Sequence, residues 1–335
     1  MTHLIDPLNN PKLNLQNRLV YPPMATAKSS EDGHVTNKLI DYYDEKSRGR
    51  YVALFIIEHS FINQQGKASA GQLSIADNSV IDSLRKLSAV IHKNSSKAVM
   101  QINHAGSAAS SAVTGMNVVG PSAVPHPRHG GTPDELSVDE INNIINDFRN
   151  AALRVKEAGF DGVEIHSAHG YLLNQFYSPL TNKRTDEYGG DINNRIRIHL
   201  QIIKAVREAV GEDFTILLRL GGCDYKEGGS TLDDAKTAAV AFEKAGLDIL
   251  DITGGMFGYM TSYYKNQGYF SEVTTAVKEI VSIPVILTGG ITDPERADDL
   301  ISFGKTDLVG VGRVMLKDSS WAENTINELT AKING

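Results

Sequence analysis

The feature of this chain that most limits its fold is an alternation of short apolar runs with longer amphipathic stretches. The runs are apolar almost throughout, which is typical of strands buried on both faces of a parallel sheet. Eight such runs are present: Arg18–Met24, Val52–Glu58, Ala98–Asn103, Gly162–His166, Thr215–Leu220, Ile249–Thr253, Pro284–Thr288 and Asp307–Gly312. Eight strands that alternate with helices predict one (β/α)8 barrel, with a doubly wound open sheet as the alternative.

The stretches between the runs have the marks of helices. Ser137 and Glu140 form a capping-box pattern, and the apolar residues that follow recur on one helical face up to Val155. A helix end, a glycine, an aspartate and a strand also recur together, in Lys156–His166 and again in Lys244–Thr253. Repetition of one helix-to-strand unit favours a barrel made of equivalent modules.

Composition excludes several classes of protein. The chain has 335 residues, 41% of them hydrophobic, and a net charge of −7, which argues against a surface for nucleic acid. Cys223 is the only cysteine, so a disulfide within the chain and a cysteine-ligated metal are excluded. The polar segment Met1–Asn10 lacks a signal core, and no apolar run is long enough to span a membrane. We expect a cytoplasmic protein with one domain over residues 1–335, in which residues 1–16 cover the bottom of the barrel.

Three residues after the fourth predicted strand are the strongest candidates for catalysis. In a barrel of this kind the active site lies at the carboxyl ends of the strands. His166 and His169 are three residues apart, and their ring N–H groups could converge on one substrate oxygen, while Tyr171 could supply a proton. A metal site and a pair of purely structural histidines are the alternatives.

Other strand ends suggest a phosphorylated ring cofactor. Gly289-Gly290 and Gly312-Arg313 follow the last two strands, where such barrels often bind phosphate, although a tight turn would also explain the first pair. Arg219 could stabilise negative charge on a ring, or form a structural salt bridge. Gln101 offers a paired donor and acceptor suited to a pyrimidine edge, or is a satisfied core glutamine.

Read together, these residues resemble the Old Yellow Enzyme family of FMN-dependent ene-reductases over nearly the whole chain. The most specific segment is His166–Arg195, HSAHGYLLNQFYSPLTNKRTDEYGGDINNR. Further similar motifs are NRLVYPPM at Asn17–Met24, QINHAG at Gln101–Gly106, GPS at Gly120–Ser122 and VGVGR at Val309–Arg313. The histidine pair is similar to that of the bacterial branch.

The resemblance implies one FMN across the barrel mouth. The residues expected along it are Pro23, Met24, Ala25, His59, Gln101, Arg219, Gly289, Gly290, Gly312 and Arg313. It also implies that NADH or NADPH reduces the flavin and that an activated alkene then takes the hydride. His166 and His169 would bind the carbonyl or nitro oxygen of that alkene, and Tyr171 would protonate its α carbon.

Some positions depart from the family pattern. Ala25 stands where many members have a cysteine or threonine that tunes the flavin potential, and His59 stands where a small residue is usual. The loop Met256–Phe270 contains four tyrosines and is either a lid over the substrate or a contact in a homo-oligomer: Tyr259, Tyr263, Tyr264 and Tyr269.

Three other functions are open alternatives on the sequence. The first is a flavin NAD(P)H oxidase or quinone reductase, which would pass electrons to oxygen or to a quinone. The second is a flavin-binding protein with little catalysis. The third is a metal-dependent barrel lyase, for which Glu58, His59 and His104 would be the further ligands.

Overall fold

Eight parallel strands form a closed barrel in the computed structural model, which describes residues 1–260 and 266–334. The strands are β1 Leu19–Tyr21, β2 Leu54–Phe61, β3 Lys97–Asn103, β4 Gly162–Ser167, β5 Thr215–Gly221, β6 Ile249–Thr253, β7 Val285–Thr288 and β8 Leu308–Gly310. Each strand pairs with the next, and β8 pairs with β1 through Leu19 opposite Val309. The predicted (β/α)8 barrel is confirmed, and the open sheet is excluded.

Helices connect the strands and form the outer layer. The α-helices are Asn37–Ser47, Ile81–Lys93, Ser111–Thr114, Val138–Glu157, Leu172–Tyr177, Ile192–Arg195, Arg197–Val210, Leu232–Lys244, Ser271–Lys278, Pro294–Ser302, Arg313–Lys317 and Trp321–Asn334. Short 3-10 turns lie at Arg48–Arg50, Gln64–Gly66, Asn78–Val80 and Gly106–Ala108. A separate two-stranded sheet, Val119–Gly120 with Asp134–Glu135, lies in the long segment after β3.

The capping signals in the sequence lie where these helices begin. Ser137 accepts from the Glu140 amide, and the Glu140 carboxylate accepts from the Ser137 amide, which completes the predicted capping box. Thr231 and Asp234 form a second one at the start of Leu232–Lys244. In the helix Val138–Glu157, which the first capping box begins, the apolar stripe is buried, as its spacing predicts.

Most strands differ from their predicted bounds, and β8 is only Leu308–Gly310 where the sequence predicts Asp307–Gly312. β1 ends at Tyr21 because Pro22 and Pro23 have no N–H groups to continue the ladder. β2 continues to Phe61, past a register shift against β3 between Ile57 and Ser60. Consequently His59 lies within the strand and not after it.

The amino ends of the strands enclose an apolar layer. The leucines Leu13 and Leu15 are buried in one cluster with inward-facing strand residues. Those strand residues include Val20, Leu54, Val99, Leu217, Ile249, Ile286 and Leu308. Leu15 is held there by two backbone hydrogen bonds with Leu8, at 2.9 and 3.0 Å.

Among the helices of residues 1–260 and 266–334, none combines the length and the apolar character needed to cross a membrane.

Candidate active site

A buried polar layer lies across the upper half of the barrel. Gln101 on β3 donates from Nε2 to Oε2 of Glu164 on β4 at 2.7 Å. Arg219 on β5 places Nε 3.0 Å from Oδ2 of Asp251 on β6. The Thr288 hydroxyl on β7 donates to the other oxygen of Asp251 at 3.2 Å. Five successive strands therefore contribute one polar group each to a continuous layer.

This layer contains two carboxyl groups and one guanidinium. Burial, and then the negative charge of Asp251, raise the pKa of Glu164. Burial also raises the pKa of Asp251, against the opposing effect of Arg219. Retention of a proton by the carboxyl pair is favoured, because it brings the charge of the layer close to zero.

The layer leaves specific hydrogen-bonding groups available to a ligand. Gln101 uses its amide nitrogen on Glu164, so its carbonyl oxygen has no partner among the described residues. The terminal nitrogens of Arg219 likewise make no hydrogen bond within the described part of the chain, although the residue is only 3% exposed. An acceptor oxygen beside a charged donor suits the edge of a ring that carries both N–H and C=O groups. The structure is therefore compatible with both roles considered for Arg219. Its Nε faces Asp251, as in a structural salt bridge, and its two terminal nitrogens are available to a negatively charged ring.

The two candidate histidines meet above this layer. His166 lies on β4 directly opposite Arg219 on β5. His169 has a φ of +61°, a left-handed conformation that turns the chain back at the end of the strand. The His166 and His169 rings are thereby 5.2 Å apart between centroids, with an edge-to-face orientation. The Tyr171 ring is also 5.2 Å from His166.

Neighbouring side chains hold this turn in place. The Gly170 carbonyl accepts hydrogen bonds from Gln175 Nε2 at 2.6 Å and from His126 Nε2 at 2.9 Å. The Gly170 amide donates to Asn174 at 2.8 Å. His169 Nε2 lies 3.2 Å from the Thr253 hydroxyl at the end of β6. A strained backbone position is stabilised here by its surroundings, which is common at functional sites.

Burial sets the protonation states of the three groups. Desolvation lowers the pKa values of His166 and His169 well below the usual range, and nearby positive groups add to the effect. Desolvation raises the pKa of Tyr171. At neutral pH the site therefore presents two neutral imidazoles and a protonated phenol. The buried His166 Nδ1 has no partner among the described residues, so a ligand could satisfy it.

The end of β1 borders the end of β8. Gly312 lies so close to Met24 that a Cβ at this position would be 2.7 Å from the Met24 sulfur. Thr26 is directed away from this contact, since its amide and hydroxyl both donate to Glu58 on β2, at 3.2 and 3.1 Å. Ala25 itself is exposed at the barrel mouth.

Tyr269 occupies the space beside the glycines of the predicted phosphate site. A Cβ on Gly290, whose φ is +67°, would collide with the Tyr269 ring. Arg313 reaches the Tyr269 hydroxyl at 3.4 Å and the Met260 sulfur at 3.2 Å. Gly289 lies against Phe270 in the same way. Gly290 and Arg313 therefore face one common space, which this aromatic loop borders.

The tyrosine-rich loop reaches two parts of the mouth. Tyr259 is exposed, with its ring 6.0 Å from that of His169, whereas Tyr269 lies by Arg313. Tyr263 and Tyr264 lie outside the described residues.

The metal alternative finds no support in the described ranges. No cluster there has three or more histidine, cysteine, aspartate or glutamate side chains placed to bind one ion. Of the further ligands considered, Glu58 is engaged by Thr26, and His104 accepts a hydrogen bond at Nδ1 from the Gly106 amide.

The family model described as NADH:flavin oxidoreductase / NADH oxidase matches residues 3–331. The chain belongs to this family. FMN is the cofactor of the family and NADH or NADPH its reductant, as the sequence predicts. The membership also confirms the resemblance to the Old Yellow Enzyme family.

Individual relatives agree with this assignment. An NADH oxidase from Thermoanaerobacter brockii is 41% identical over 92% of this chain and 48% of its own length. A morphinone reductase structure in complex with tetrahydroNAD is 26% identical, with a TM-score of 0.86 over 99% of this chain and 92% of its own. An Old Yellow Enzyme homologue from Zymomonas mobilis, 24% identical, shares the fold with a TM-score of 0.85 over 97% of this chain and 93% of its own. The chain spans about half the length of the curated relatives it matches.

Sequence reasoning missed several residues of this flavoprotein's barrel mouth. Glu164 and Asp251 stand two residues before His166 and Thr253, on the same face of their strands, so the period of two could have identified them. Gln72 contacts His59 from a loop, and no local pattern in the sequence indicates that contact.

Proposed function

We propose that this chain is an FMN-dependent ene-reductase, which uses NADH or NADPH to reduce activated C=C bonds in α,β-unsaturated carbonyl or nitro compounds. The observation that carries the proposal is the arrangement of His166, His169 and Tyr171. The neutral His166 ring lies 5.2 Å from the neutral His169 ring and 5.2 Å from the protonated Tyr171 phenol, above a buried polar layer. This is a set of hydrogen-bond donors suited to an uncharged oxygen acceptor, with a proton source beside it.

The polar layer supports the placement of FMN beneath the donors. We assign the free carbonyl oxygen of Gln101 to an N–H of the pyrimidine ring and the unused fork of Arg219 to its oxygen and N1 edge. The backbone of Pro23, Met24 and Ala25 would border the ring.

The phosphate would lie beside Arg313, in the space where the Tyr269 ring packs on Gly290, so the ring would have to move aside when FMN binds. We assign it to the backbone of four residues, with the Arg313 side chain as its cation: Gly289, Gly290, Gly312 and Arg313. Glycine at the first three positions lets the backbone approach a phosphate group closely.

When bound, FMN carries hydride between the nicotinamide and the alkene. The protein side chains do the rest. His166 and His169 donate hydrogen bonds to the substrate oxygen, where negative charge develops as the double bond accepts hydride, and these bonds strengthen in the transition state. Tyr171 carries its proton at neutral pH, since its ordinary pKa of 10.0 is raised further by burial, and that proton is available to the α carbon.

A second candidate function is a flavin NADH oxidase, in which oxygen or a quinone takes the electrons. The specific observation that favours it is the relative named NADH oxidase, which is 41% identical to this chain. An oxidase does not require an ordered pair of donors and a phenol, and for this reason the ene-reductase is preferred.

The histidine pair also supports placement in the bacterial branch of the family.

The two functions differ in what reoxidises the reduced flavin. Purified protein loaded with FMN is reduced anaerobically with NADH or NADPH and then mixed with cyclohexenone or with oxygenated buffer. We expect cyclohexenone to restore the oxidised flavin spectrum at a rate that rises with its concentration. Reoxidation by oxygen alone, with no saturated ketone formed, would assign the chain to the oxidase function.

A further inference from the structure

A third imidazole lies beside the proposed substrate site. The His59 ring stacks on Tyr171 at 5.2 Å, with an interplanar angle of 26°, and lies 6.3 Å from the ring of His166. The His59 residue is half-buried, with part of its surface open. His59 therefore borders the same space as the two histidines and the phenol.

The hydrogen bonds around His59 determine which ring nitrogen carries the proton. The Ala68 amide, which can only donate, bonds to Gln72 Oε1 at 2.7 Å. This orients the Gln72 amide so that its Nε2 faces His59, where it lies 2.9 Å from Nδ1 and 3.2 Å from the His59 carbonyl oxygen. A side-chain amide nitrogen can only donate, so Nδ1 must be the acceptor. Asn103 Nδ2 lies 3.4 Å from the same ring nitrogen and, as an amide nitrogen, can likewise only donate.

The remaining proton must then lie on Nε2 of a neutral ring. Desolvation lowers the pKa of His59 to about 4, which keeps the ring uncharged at neutral pH. His59 Nε2 makes no hydrogen bond with any residue in the described ranges, and the ring edge that bears it is free for a ligand.

We propose that His59 is a specificity-determining residue, whose Nε2–H binds a second acceptor oxygen on the substrate while His166 and His169 bind the first. The preferred substrates are alkenes that carry two oxygen acceptors, such as a second carbonyl across the ring from the activating one. This inference rests on the proposed function, since it assumes that the histidine pair binds the activating oxygen.

The surroundings of the three imidazoles support this choice of ligand. The acceptor oxygen of the Gln72 amide is engaged by the Ala68 amide and is therefore not open to the Nε2–H of His59. A Thr253 hydroxyl that donates to His169 Nε2 leaves the proton of the neutral His169 ring on Nδ1 for the substrate. A substrate with one oxygen would leave one of three N–H donors unpaired, which costs binding free energy in a desolvated site. A substrate with two oxygens uses the donors more completely.

The first test compares two ketones in steady-state reduction. Cyclohexenone has one acceptor, and ketoisophorone is a ring enone with a second carbonyl across the ring. In His59→Ala we expect the ratio of kcat/KM for ketoisophorone over cyclohexenone to fall about tenfold, the effect of losing one hydrogen bond. In His59→Gln, which retains a donor near the position of Nε2, we expect that ratio to stay within about twofold of the unmodified protein. An unchanged ratio in His59→Ala overturns the proposal.

The second test measures the tautomer directly. Imidazole ¹⁵N spectra are recorded on histidine-labelled protein, and the His59 signals are assigned as those missing in His59→Gln. They should show His59 protonated at Nε2 and unprotonated at Nδ1. In Gln72→Glu the carboxylate can only accept, so the proton should move to Nδ1. A proton on Nδ1 in the unmodified protein overturns the assignment.

A third measurement decides whether His59 Nε2 bonds to the substrate or to the flavin. We expect the midpoint potential of the bound flavin to be the same in the unmodified protein and in His59→Ala. A shifted potential with an unchanged substrate ratio would mean that Nε2 bonds to the flavin, which overturns the proposal. If the unmodified protein reduces neither ketone, the proposed function fails, and the ¹⁵N spectra alone then decide the assignment of His59.

Discussion

Individual residues at the barrel mouth derive their chemical character mainly from desolvation. His166, His169 and His59 would each titrate near neutral pH in water, but burial lowers all three pKa values. Neutral imidazoles donate hydrogen bonds without adding positive charge beside Arg219. Such donors suit the uncharged carbonyl oxygen of the substrate proposed here.

Tyr171 is the residue whose loss should separate the two half-reactions. Tyr171→Phe retains the ring that stacks on His59 but removes the proton that we assign to the α carbon. We expect the rate of alkene reduction to fall by about 10²-fold or more, a typical contribution of general acid catalysis. Reduction of the flavin by NADH or NADPH should keep its rate, as measured by stopped-flow absorbance. Equal losses in both half-reactions would contradict the assignment.

The pH dependence of alkene reduction follows from the same phenol. Burial raises the pKa of Tyr171 above its usual value of 10.0, and the protonated form is the active one. We therefore expect alkene reduction to lose no activity through Tyr171 ionisation below about pH 10. A loss of activity in the alkene half-reaction centred below that pH, and absent from Tyr171→Phe, would contradict the raised pKa.

His104 should contribute to acid denaturation of the protein. It is 1% exposed, and burial lowers its pKa from 6.5 to about 3. Between those pH values the unfolded chain binds a proton at His104 and the folded chain does not, so stability falls as pH falls through this window. We expect His104→Gln to reduce the slope of unfolding free energy against pH there by up to about 1.4 kcal/mol per pH unit. Denaturant titrations at several pH values measure this slope, and an unchanged slope would contradict the neutral His104.

Some site residues could be predicted from the sequence and others could not. His166, His169 and Tyr171 stand in a motif at a strand end, so both their placement and their proximity follow from the barrel. Glu164 was not predicted as a site residue because it lies among apolar residues in a strand whose sequence is typical of a buried core. The contact of Gln72 with His59 depends on how a loop folds back on β2, which no periodicity encodes.

At the level of elements, the long helix Val138–Glu157 begins with a local capping signal that should stabilise the protein. Ser137 and Glu140 satisfy amides that the helix start would otherwise leave unpaired. We expect Ser137→Ala to lower the free energy of unfolding by about 1 kcal/mol. The control is Asn143→Ala, at an exposed position of the same helix, which should not destabilise the protein. Equal effects of the two changes in urea denaturation would contradict the capping role.

Element boundaries were less predictable than the elements themselves. The prolines after Tyr21 truncate β1, although the apolar letters continue to Met24. β2 extends beyond Glu58 because Phe61 and Ser60 find partners on β3 after a register shift. Strand pairing, which involves residues far apart in the chain, sets these ends, so a local pattern does not reveal them.

At the scale of the whole molecule, the apolar layer that closes the amino ends of the strands should affect the free energy of unfolding and leave ligand binding at the active site unchanged. Leu13 and Leu15 fill the apolar layer there. We expect Leu15→Ala to lower the free energy of unfolding by about 3 kcal/mol, a usual cost for a buried leucine. The affinity of the flavin site for phenol should not change. Leu316→Ala, at a 41% exposed leucine, is the control and should have little effect on stability.

The most direct test of the account as a whole is a titration of the FMN-loaded protein with phenol, followed by charge-transfer absorbance. We expect a long-wavelength band in the unmodified protein, with a Kd that rises about tenfold or more in His166→Ala and in His169→Ala. The control His92→Ala changes an exposed histidine that pairs with Asp161, away from the barrel mouth, and should leave the Kd unchanged. Equal phenol affinity in all four proteins would contradict the claim that His166 and His169 bind the substrate oxygen over the flavin.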